Sequence, residues 1–129
     1  MPTVINYNRA RLNNITNGTV VTLTPATSPL LLLTMGIYVA APVSFLEIMS
    51  SVGFETPDND TLVTVRVDVD FVTQGASDVF IATPNSQQLT FHTILENLTV
   101  GHHVIQLFAS TDADIGIDGP VTMSAWVLA

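Results

Sequence analysis

The sequence predicts an all-β domain in which antiparallel strands form a sandwich. Apolar and polar residues alternate over short stretches, as they do on strands with one buried face. Clusters of glycine, proline, asparagine and aspartate separate these stretches, most clearly in residues 88–129. About eight to ten short strands of this kind are typical of a β-sandwich or jelly roll. The 129 residues suffice for one such domain with its own core.

The chain begins with a polar, asparagine-rich segment, residues 1–18. Its apolar set, Val4, Ile5 and Tyr7, is too sparse for a core strand. The segment is therefore predicted to be an extended N-terminal arm or connector. The jelly-roll domain is predicted to occupy residues 19–129.

The first part of the domain contains three predicted strands. Residues 19–24 form a short strand pattern, and the two prolines within residues 25–29 predict a turn. Residues 30–40 are a long apolar run, which predicts a strand that is buried on both faces or lies at a subunit contact. Residues 43–54 are predicted to be a strand. A Ser-x-x-Glu spacing near its start resembles a helix capping box, so a short helix is the alternative.

The clearest strand pattern follows the polar loop of residues 56–61. In residues 62–71, alternate positions predict one buried and one exposed face. The predicted inward residues are Val63, Val65, Val67, Val69 and Phe71, and the outward ones are Thr64, Arg66, Asp68 and Asp70. Gln74-Gly75 predicts the turn that follows.

Further alternating segments fill the rest of the chain. Residues 78–83 and 88–95 are predicted strands, and a one-residue phase shift in the second brings Ile94 onto its apolar face. Another strand begins at Gly101. After a predicted turn at Asp118-Gly119-Pro120, the last strand has one face formed by Val121, Met123, Ala125 and Val127.

The composition points to self-association. Hydrophobic residues make up 47% of the chain and charged residues 11%, and lysine is absent. Soluble monomers normally need roughly 25–35% charged residues on their surface. Part of the surface is therefore predicted to be buried against other copies of the chain, as in an obligate oligomer.

The charge distribution argues against nucleic acid as a partner. The net charge is −8, and no basic face is present to displace counterions from phosphates. Arg9 and Arg11 lie in the arm, whereas all eleven acidic residues lie from Glu47 onward. A weakly basic arm on an acidic body could be attracted to a neighbouring body, although two arginines here could equally arise by chance. With no cysteine in the chain, no disulfide or thiolate metal site is expected.

Neither a signal peptide nor a membrane span is predicted. Residues 1–12 lack an apolar signal-peptide core. Residues 12–46 carry no charge and are long enough to cross a bilayer. Gly36, Pro42 and the dense strand formers around them predict strands instead.

Two carboxylate groupings are candidates for chemistry. Asp112, Asp114 and Asp118 alternate around a glycine as in a calcium loop, but the bidentate glutamate of an EF-hand is missing. The alternative is an acidic hairpin with its isoleucines inward. Asp68 and Asp70, next to Arg66, could form an acid–base pair, a solvated ion-pair row or a trimer-axis cluster.

The histidines and the remaining motifs predict neither an enzyme nor a cofactor. His102 and His103 are adjacent and would point to opposite faces of a strand, so they cannot bind one metal together. His92 could join only one of them. No nucleophile elbow, phosphate loop or dinucleotide-binding fingerprint occurs.

Four stretches taken together resemble a known family: SVGFETPDND, LVTVRVDVDF, LENLTVGHHVIQLFAS and IDGPVTMSAWVL. Over residues 19–129 they resemble the jelly roll shared by tumour necrosis factor and the complement-q head. Bacterial members, such as the heads of spore-surface collagen-like glycoproteins and some phage tail-fibre tips, are more similar. The resemblance implies a homotrimer with apolar and aromatic residues near its axis. The candidate trimer or core packing residues are Phe45, Phe71, Phe91, Phe108 and Trp126.

The resemblance and the arm together predict a function. The chain lacks the collagen stalk of the spore glycoproteins, and residues 1–18 take its place. Such an arm can add a strand to the next trimer and join trimers head to tail into a filament. The predicted inter-subunit arm residues are Val4, Ile5, Tyr7, Arg9 and Arg11.

The predicted protein is thus a structural subunit of a self-assembling extracellular fibre on a spore surface. Its main partner is itself, and an anchor protein and a tip protein are further expected partners. The alternative is a head domain at the tip of a phage tail fibre or surface fibre, which would bind a glycan or receptor. That alternative expects exposed aromatic residues in loops.

Overall fold

The computed structural model describes residues 3–13, 19–42 and 44–129, and these form two antiparallel sheets packed face to face. The predicted all-β sandwich is confirmed. The described strands are β1 (Val4–Asn13), β2 (Thr19–Leu23), β3 (Leu30–Val39), β4 (Ser44–Phe54), β5 (Thr61–Val69), β6 (Val72–Ile81), β7 (Gln87–Leu98), β8 (Gly101–Thr111) and β9 (Ile115–Leu128). A short 3-10 turn, Pro25–Thr27, lies where the turn was predicted.

The strand order is that of a jelly-roll sandwich. In the first sheet the order is β1-β9-β4-β7, and β2 also pairs with β9. The second sheet has the order β3-β8-β5-β6. From β3 onward the chain crosses between the sheets at every connection except the β5–β6 hairpin, so most neighbours within a sheet are distant in sequence.

The core between the sheets is mainly aliphatic. Among the described residues, Phe54 is the aromatic side chain that is fully buried there. The largest contributions come from inward positions of β9 and β3, followed by β4 and β5, and they include the predicted Val121, Met123, Ala125 and Val127. Alternating burial along β8 and β9, and along β5 as far as Val67, confirms the predicted period of two.

Residues 30–40 do not form a strand buried on both faces. Burial alternates along β3 after an irregularity between Leu31 and Leu33. Leu31 and Tyr38 are exposed in the single chain. At residues 43–54, the strand is confirmed over the described β4, and the helical alternative is wrong.

The β5–β6 hairpin turns earlier than predicted. The turn is at Asp70-Phe71, and Gln74-Gly75 lies inside β6. Gly75 is needed for packing there, because a Cβ atom at this position would collide with the Thr93 side chain of β7. Phe71 therefore does not continue the inward face of β5.

Strand β7 keeps its alternation without the predicted phase shift. Thr93 is buried at the next inward position after Phe91, and Ile94 points outward with 56% of its surface exposed. Pairing with β4 places Ile94 opposite Glu47, on the outer face of the first sheet.

Asp118-Gly119-Pro120 is not a turn, because β9 runs through it. The pairing with β4 shifts here: Ser51 lies opposite Thr122, but Gly53 lies opposite Asp118. On the other side of β9, the β1 pairing reaches Val121 and the β2 pairing begins at Asp118. Proline, which lacks an N–H group, is tolerated at such a bulge between two partner strands.

Candidate self-association surface

The outer face of the first sheet carries an unusual set of apolar side chains. Strand pairing arranges its residues in rows: Val4, Leu128 and Phe45; then Tyr7, Trp126, Glu47 and Ile94; then Arg9, Ser124, Met49 and His92. Five of these eleven are large hydrophobic residues that are exposed. Outward faces of free sheets are normally polar, so this face is a candidate contact surface.

An open recess lies at one end of this outer face. Phe45, Ile94 and Leu128 give it apolar walls, and Glu47 and Glu96 contribute its polar rim. Its volume is about 310 Å³. The two glutamates give the rim acidic character, and Glu47 Oε2 lies 3.8 Å from the Nε2 atom of His92.

The predicted N-terminal arm is a strand of the first sheet over its described part. β1 pairs antiparallel with β9 of the same chain, and Tyr7 packs at 5.6 Å, centroid to centroid, against Trp126. Tyr7, Arg9 and Arg11 are all exposed on β1. Residues 14–18 and the first two residues of the predicted arm lie outside the described residues.

Two asparagines on β1 join the edges of the two sheets. Asn6 Nδ2 donates to the carbonyl oxygen of Tyr38 at 2.8 Å, and Asn8 Nδ2 donates to that of Gly36 at 2.6 Å. Both acceptors belong to β3, the edge strand of the second sheet. Edge strands expose unpaired backbone groups, and these amides satisfy two of them. Sequence reasoning missed Asn6 and Asn8, because a contact between strands of different sheets has no local signal.

The β5–β6 turn is fixed by one aspartate. The Asp70 N–H donates to the carbonyl oxygen of Val104 at 2.8 Å, and Asp70 Oδ1 accepts from the Val104 N–H at 3.0 Å. Asp70 Oδ2 lies 2.6 Å from His103 Nδ1. On its other side, His103 Nε2 donates to the Thr99 carbonyl oxygen at 2.7 Å. We refer to Asp70, His103 and Thr99 as the imidazole clamp.

His103 is positively charged in this arrangement. A carbonyl and an ionised carboxylate can only accept, so both ring nitrogens must carry hydrogen. Burial alone lowers the pKa of His103, but the hydrogen bond to Thr99 and the charge and hydrogen bond of Asp70 outweigh it and raise the pKa. Burial likewise opposes ionisation of Asp70, yet its bonds to His103 and Val104 leave its pKa lowered.

The prediction that Asp68 and Asp70 lie together on the outward face of one strand is wrong. Asp70 is in the turn, whereas Asp68 is buried at an irregularity of β5. Arg66 Nε lies 3.1 Å from Asp68 Oδ1, and Thr73 Oγ1 donates to the same oxygen at 2.9 Å. The Arg66 guanidinium also lies 4.4 Å from the centroid of the Phe108 ring. The Asp68 carboxylate is therefore engaged in an ion pair and a hydrogen bond within the second sheet.

The five predicted packing aromatics lie outside the centre of the core. Phe91 packs against its margin, and Phe108 and Trp126 are half-buried on outer faces. Phe45 is exposed on the first sheet, and Phe71 is 75% exposed in the β5–β6 turn. The prediction that Phe45 and Phe71 pack in the core is therefore wrong. Packing between subunits stays a prediction.

The candidate calcium loop is not assembled among the described residues. Asp112 Oδ1 accepts from the Leu62 N–H at 2.9 Å, which ties the β8–β9 turn to β5. Asp118 lies farther along, within β9, while Ile115 and Ile117 are buried. Across residues 3–13, 19–42 and 44–129, no three histidine or acidic side chains gather as metal ligands.

The two ends of the sandwich differ in polarity. The end with the β5–β6 and β7–β8 turns, here called the apolar end, carries exposed Tyr38, Phe45, Phe71, Val72 and Val100. The opposite end, here called the acidic end, contains Glu55, Asp58, Asp60, Asp112, Asp114 and Asp118, six of the eleven acidic residues. Burial and, second, the nearby Glu55 carboxylate raise the pKa of Asp118.

No helix in the described residues is long and apolar enough to cross a membrane. No protein-family model matches the chain, and no curated protein matches it. Solved structures do match. Dimeric latent PorU from Porphyromonas gingivalis superposes with a TM-score of 0.55 at 9% identity, over 95% of this chain and 12% of the PorU chain. A chain of infectious bursal disease virus, Gx strain, superposes with a TM-score of 0.59 at 8% identity, over 95% of this chain and 32% of the viral chain.

Identities this low show a shared fold alone. The chain spans about an eighth of the PorU chain and about a third of the viral chain. The resemblance to the tumour-necrosis-factor and complement-q family stays a prediction.

Proposed function

We propose that this chain is a structural subunit that self-assembles, first into homotrimers and then head to tail into an extracellular fibre on a spore surface. The predicted anchor and tip proteins belong to the same proposal. The observation that carries it is the outer face of the first sheet. Phe45, Met49 and Ile94 are exposed there. They occupy outward positions of their strands, where the core between the sheets does not require apolar residues.

The small number of charges supports burial of this face in an assembly. The single chain exposes 6592 Å² of surface, the area expected for a compact monomer of its mass. Charged residues are only 11% of the sequence. Covering the apolar rows with another copy removes the exposed hydrophobic area without burying many charges.

Strand β1 supplies a means of linking trimers. Its partner, β9, would offer the same hydrogen-bonding groups to β1 of another copy as to its own. Exchange of an identical strand between copies therefore preserves the pairing, including Arg9 opposite Ser124. Such exchange is a low-cost route to assembly, and it gives open filaments when the contact does not close on itself.

The exchange can be tested directly because the chain contains no cysteine. In the double variant Arg9→Cys/Ser124→Cys, the two thiols face each other across the β1–β9 pair. Directly opposed residues on antiparallel strands have Cα atoms about 4.5–5.5 Å apart, within disulfide range. After mild oxidation of assembled protein, exchange predicts disulfide-linked multimers on a non-reducing denaturing gel.

A matched control is Thr64→Cys/Asp78→Cys, an opposed pair in the β5–β6 hairpin. This pair should give only intrachain disulfides in every assembly. Negative-stain electron microscopy of the unmodified protein supplies the second readout, and fibres with a regular axial repeat are expected. Fibres of the Arg9→Cys/Ser124→Cys variant whose engineered disulfides are all intrachain would refute the linkage through β1.

A second candidate function is a fibre-tip domain that binds a glycan. The observation in its favour is Phe71, an exposed aromatic residue in a turn. Binding on a glycan array that is lost in Phe71→Asn, together with discrete particles and no fibres by electron microscopy, would support this function over the structural one.

A further inference from the structure

Phe71 is held in a backbone conformation that its side chain disfavours. The two residues of the β5–β6 turn have positive φ angles, 52° at Asp70 and 68° at Phe71. Two-residue hairpin turns of this type favour Asn-Gly or Asp-Gly, because bulky residues are strained there. Strain of this kind persists where surrounding interactions fix it, and it is often associated with function.

The imidazole clamp is what fixes it. Asp70 is bonded through its N–H and both carboxylate oxygens, and His103 is itself held from its other side by Thr99. These contacts hold Asp70 but leave the Phe71 ring in solvent, 75% exposed. Val72, which follows it, is also exposed. Phe71 and Val72 thus form a projecting apolar feature on a rigid base, here called the knob.

The recess on the outer face of the first sheet has the chemistry to receive an aromatic ring. Phe45, Ile94 and Leu128 form its walls. Its volume of about 310 Å³ exceeds the roughly 150 Å³ of a protein cavity that accommodates benzene. The recess lies on the first sheet, whereas the knob extends from the second, so the exposed Phe71 of a chain does not fill its own recess.

The local charges permit the contact. The recess has Glu47 and Glu96 at its rim, and an unpaired carboxylate beside the knob would repel them. Asp70 is the acidic group nearest the knob in sequence, and it is paired with His103. The base of the knob is therefore close to neutral when it approaches the acidic rim.

We propose that the knob of one copy inserts into the recess of the next copy, and that three such contacts close a ring. The proposal rests on the homotrimer of the proposed function and names its contact. Knob and recess are different surfaces, so the contact is heterologous, and repeated rotation about one axis closes it. Phe71 is the central anchor of each interface, as buried aromatic residues commonly are.

The first test is Phe71→Asn, measured by size-exclusion chromatography with multi-angle light scattering. Asparagine tolerates positive φ, so at a protein concentration where both proteins are monomeric the variant should unfold at a urea midpoint no lower than that of the wild type. The trimer dissociation constant is expected to rise by at least about thirtyfold. The matched control is Phe80→Asn, which removes an equally large residue that is 61% exposed but lies on β6 away from the turn. It should remain trimeric.

The second test crosslinks the contact itself. Val72→Cys/Glu96→Cys places one thiol on the knob and one on the recess rim of a chain that has no other cysteine, and it keeps the Phe71 anchor and the apolar walls. Oxidation of a closed ring should give covalent dimers and trimers with no larger products. Dimers alone would indicate a two-fold contact and overturn the ring, and monomers alone would overturn the contact.

Further outcomes separate this inference from the proposed function. A wild-type trimer that persists in Phe71→Asn overturns the knob and leaves the homotrimer standing. A wild-type protein that is monomeric under all conditions overturns both. Phe71-dependent binding of a monomer to phosphatidylcholine vesicles would assign the knob to a lipid surface instead, and would also overturn the proposal.

Discussion

The two ends of the sandwich differ in how their charged and apolar side chains are arranged. At the apolar end, Asp70 is paired with a charged imidazole, and Phe71 and Val100 project into solvent. At the acidic end, burial and, second, the nearby Glu55 carboxylate raise the pKa of Asp118. One end compensates its charge and displays apolar surface, while the other gathers like charges.

The largest effect is expected when the apolar end loses its clamp. His103→Ala should lower the free energy of unfolding by about 2–3 kcal/mol, because it removes a buried charged partner of Asp70 and Thr99. This expected loss is smaller than that for breaking a fully buried ion pair, because Asp70 is half exposed and water can solvate its carboxylate in the variant. Urea denaturation at pH 6 measures it.

His102→Ala is the matched control for this variant. His102 precedes His103 but is exposed and points to the other face, where it contacts Tyr38. Its replacement should change stability by no more than about 0.5 kcal/mol. Equal losses in the two variants would show that the clamp contributes nothing beyond an ordinary histidine at this end.

The clamp should also make stability depend on pH in two opposite senses. The pKa of His103 is raised in the folded state, so its contribution is complete below the unfolded value of about 6.5 and is lost as pH rises through the folded value. The pKa of Asp70 is lowered, so its contribution is present above about 3.9 and is lost as pH falls through the folded value. Urea midpoints from pH 3 to 9 should show a loss of stability as pH rises above about 6.5, and His103→Ala should abolish that loss.

The smallest effect is expected at the acidic end. Asp118→Asn removes a carboxylate whose ionisation is disfavoured by burial and by Glu55. Because its pKa is raised in the folded state, ionised Asp118 destabilises the fold at neutral pH. The variant should therefore gain up to about 1 kcal/mol at pH 7, a modest value because much of the group is solvated. Urea denaturation of the variant and the wild type at pH 7 and at pH 3.5 measures the gain in the free energy of unfolding. A gain at pH 7 that is no larger than the gain at pH 3.5 would contradict repulsion at this end.

Elements with alternating apolar residues could be predicted from sequence. The inward valines of β5 and the last four inward positions of β9 were placed correctly, because these side chains follow a period of two. The burial of Asp68, at the irregularity of β5, departs from that period and was not predicted. The turn at Asp70-Phe71 was missed because neither residue is the glycine or asparagine that normally marks positive φ. The stabilising contacts come from Val104 and His103, which are distant in sequence.

Glycine and proline also led to false turn predictions. Gly75 lies in a strand because the two sheets approach closely at Thr93, and Pro120 lies where β9 changes partner from β1 to β2. Both are requirements of the assembled sandwich. The recess and the knob could not be predicted for the same reason: strand register decides which outward residues become neighbours.

Strand β9 lies between β4 and β1, and β8 lies between β3 and β5. In each sheet, one of the two inner strands thus comes from the last third of the chain. During synthesis, β1 and β3 must wait until most of the protein has left the ribosome before they can pair. Until then, their unpaired edges can pair with nascent chains on neighbouring ribosomes of the same mRNA. Translation rate and chaperone supply should therefore determine how much protein reaches the folded state.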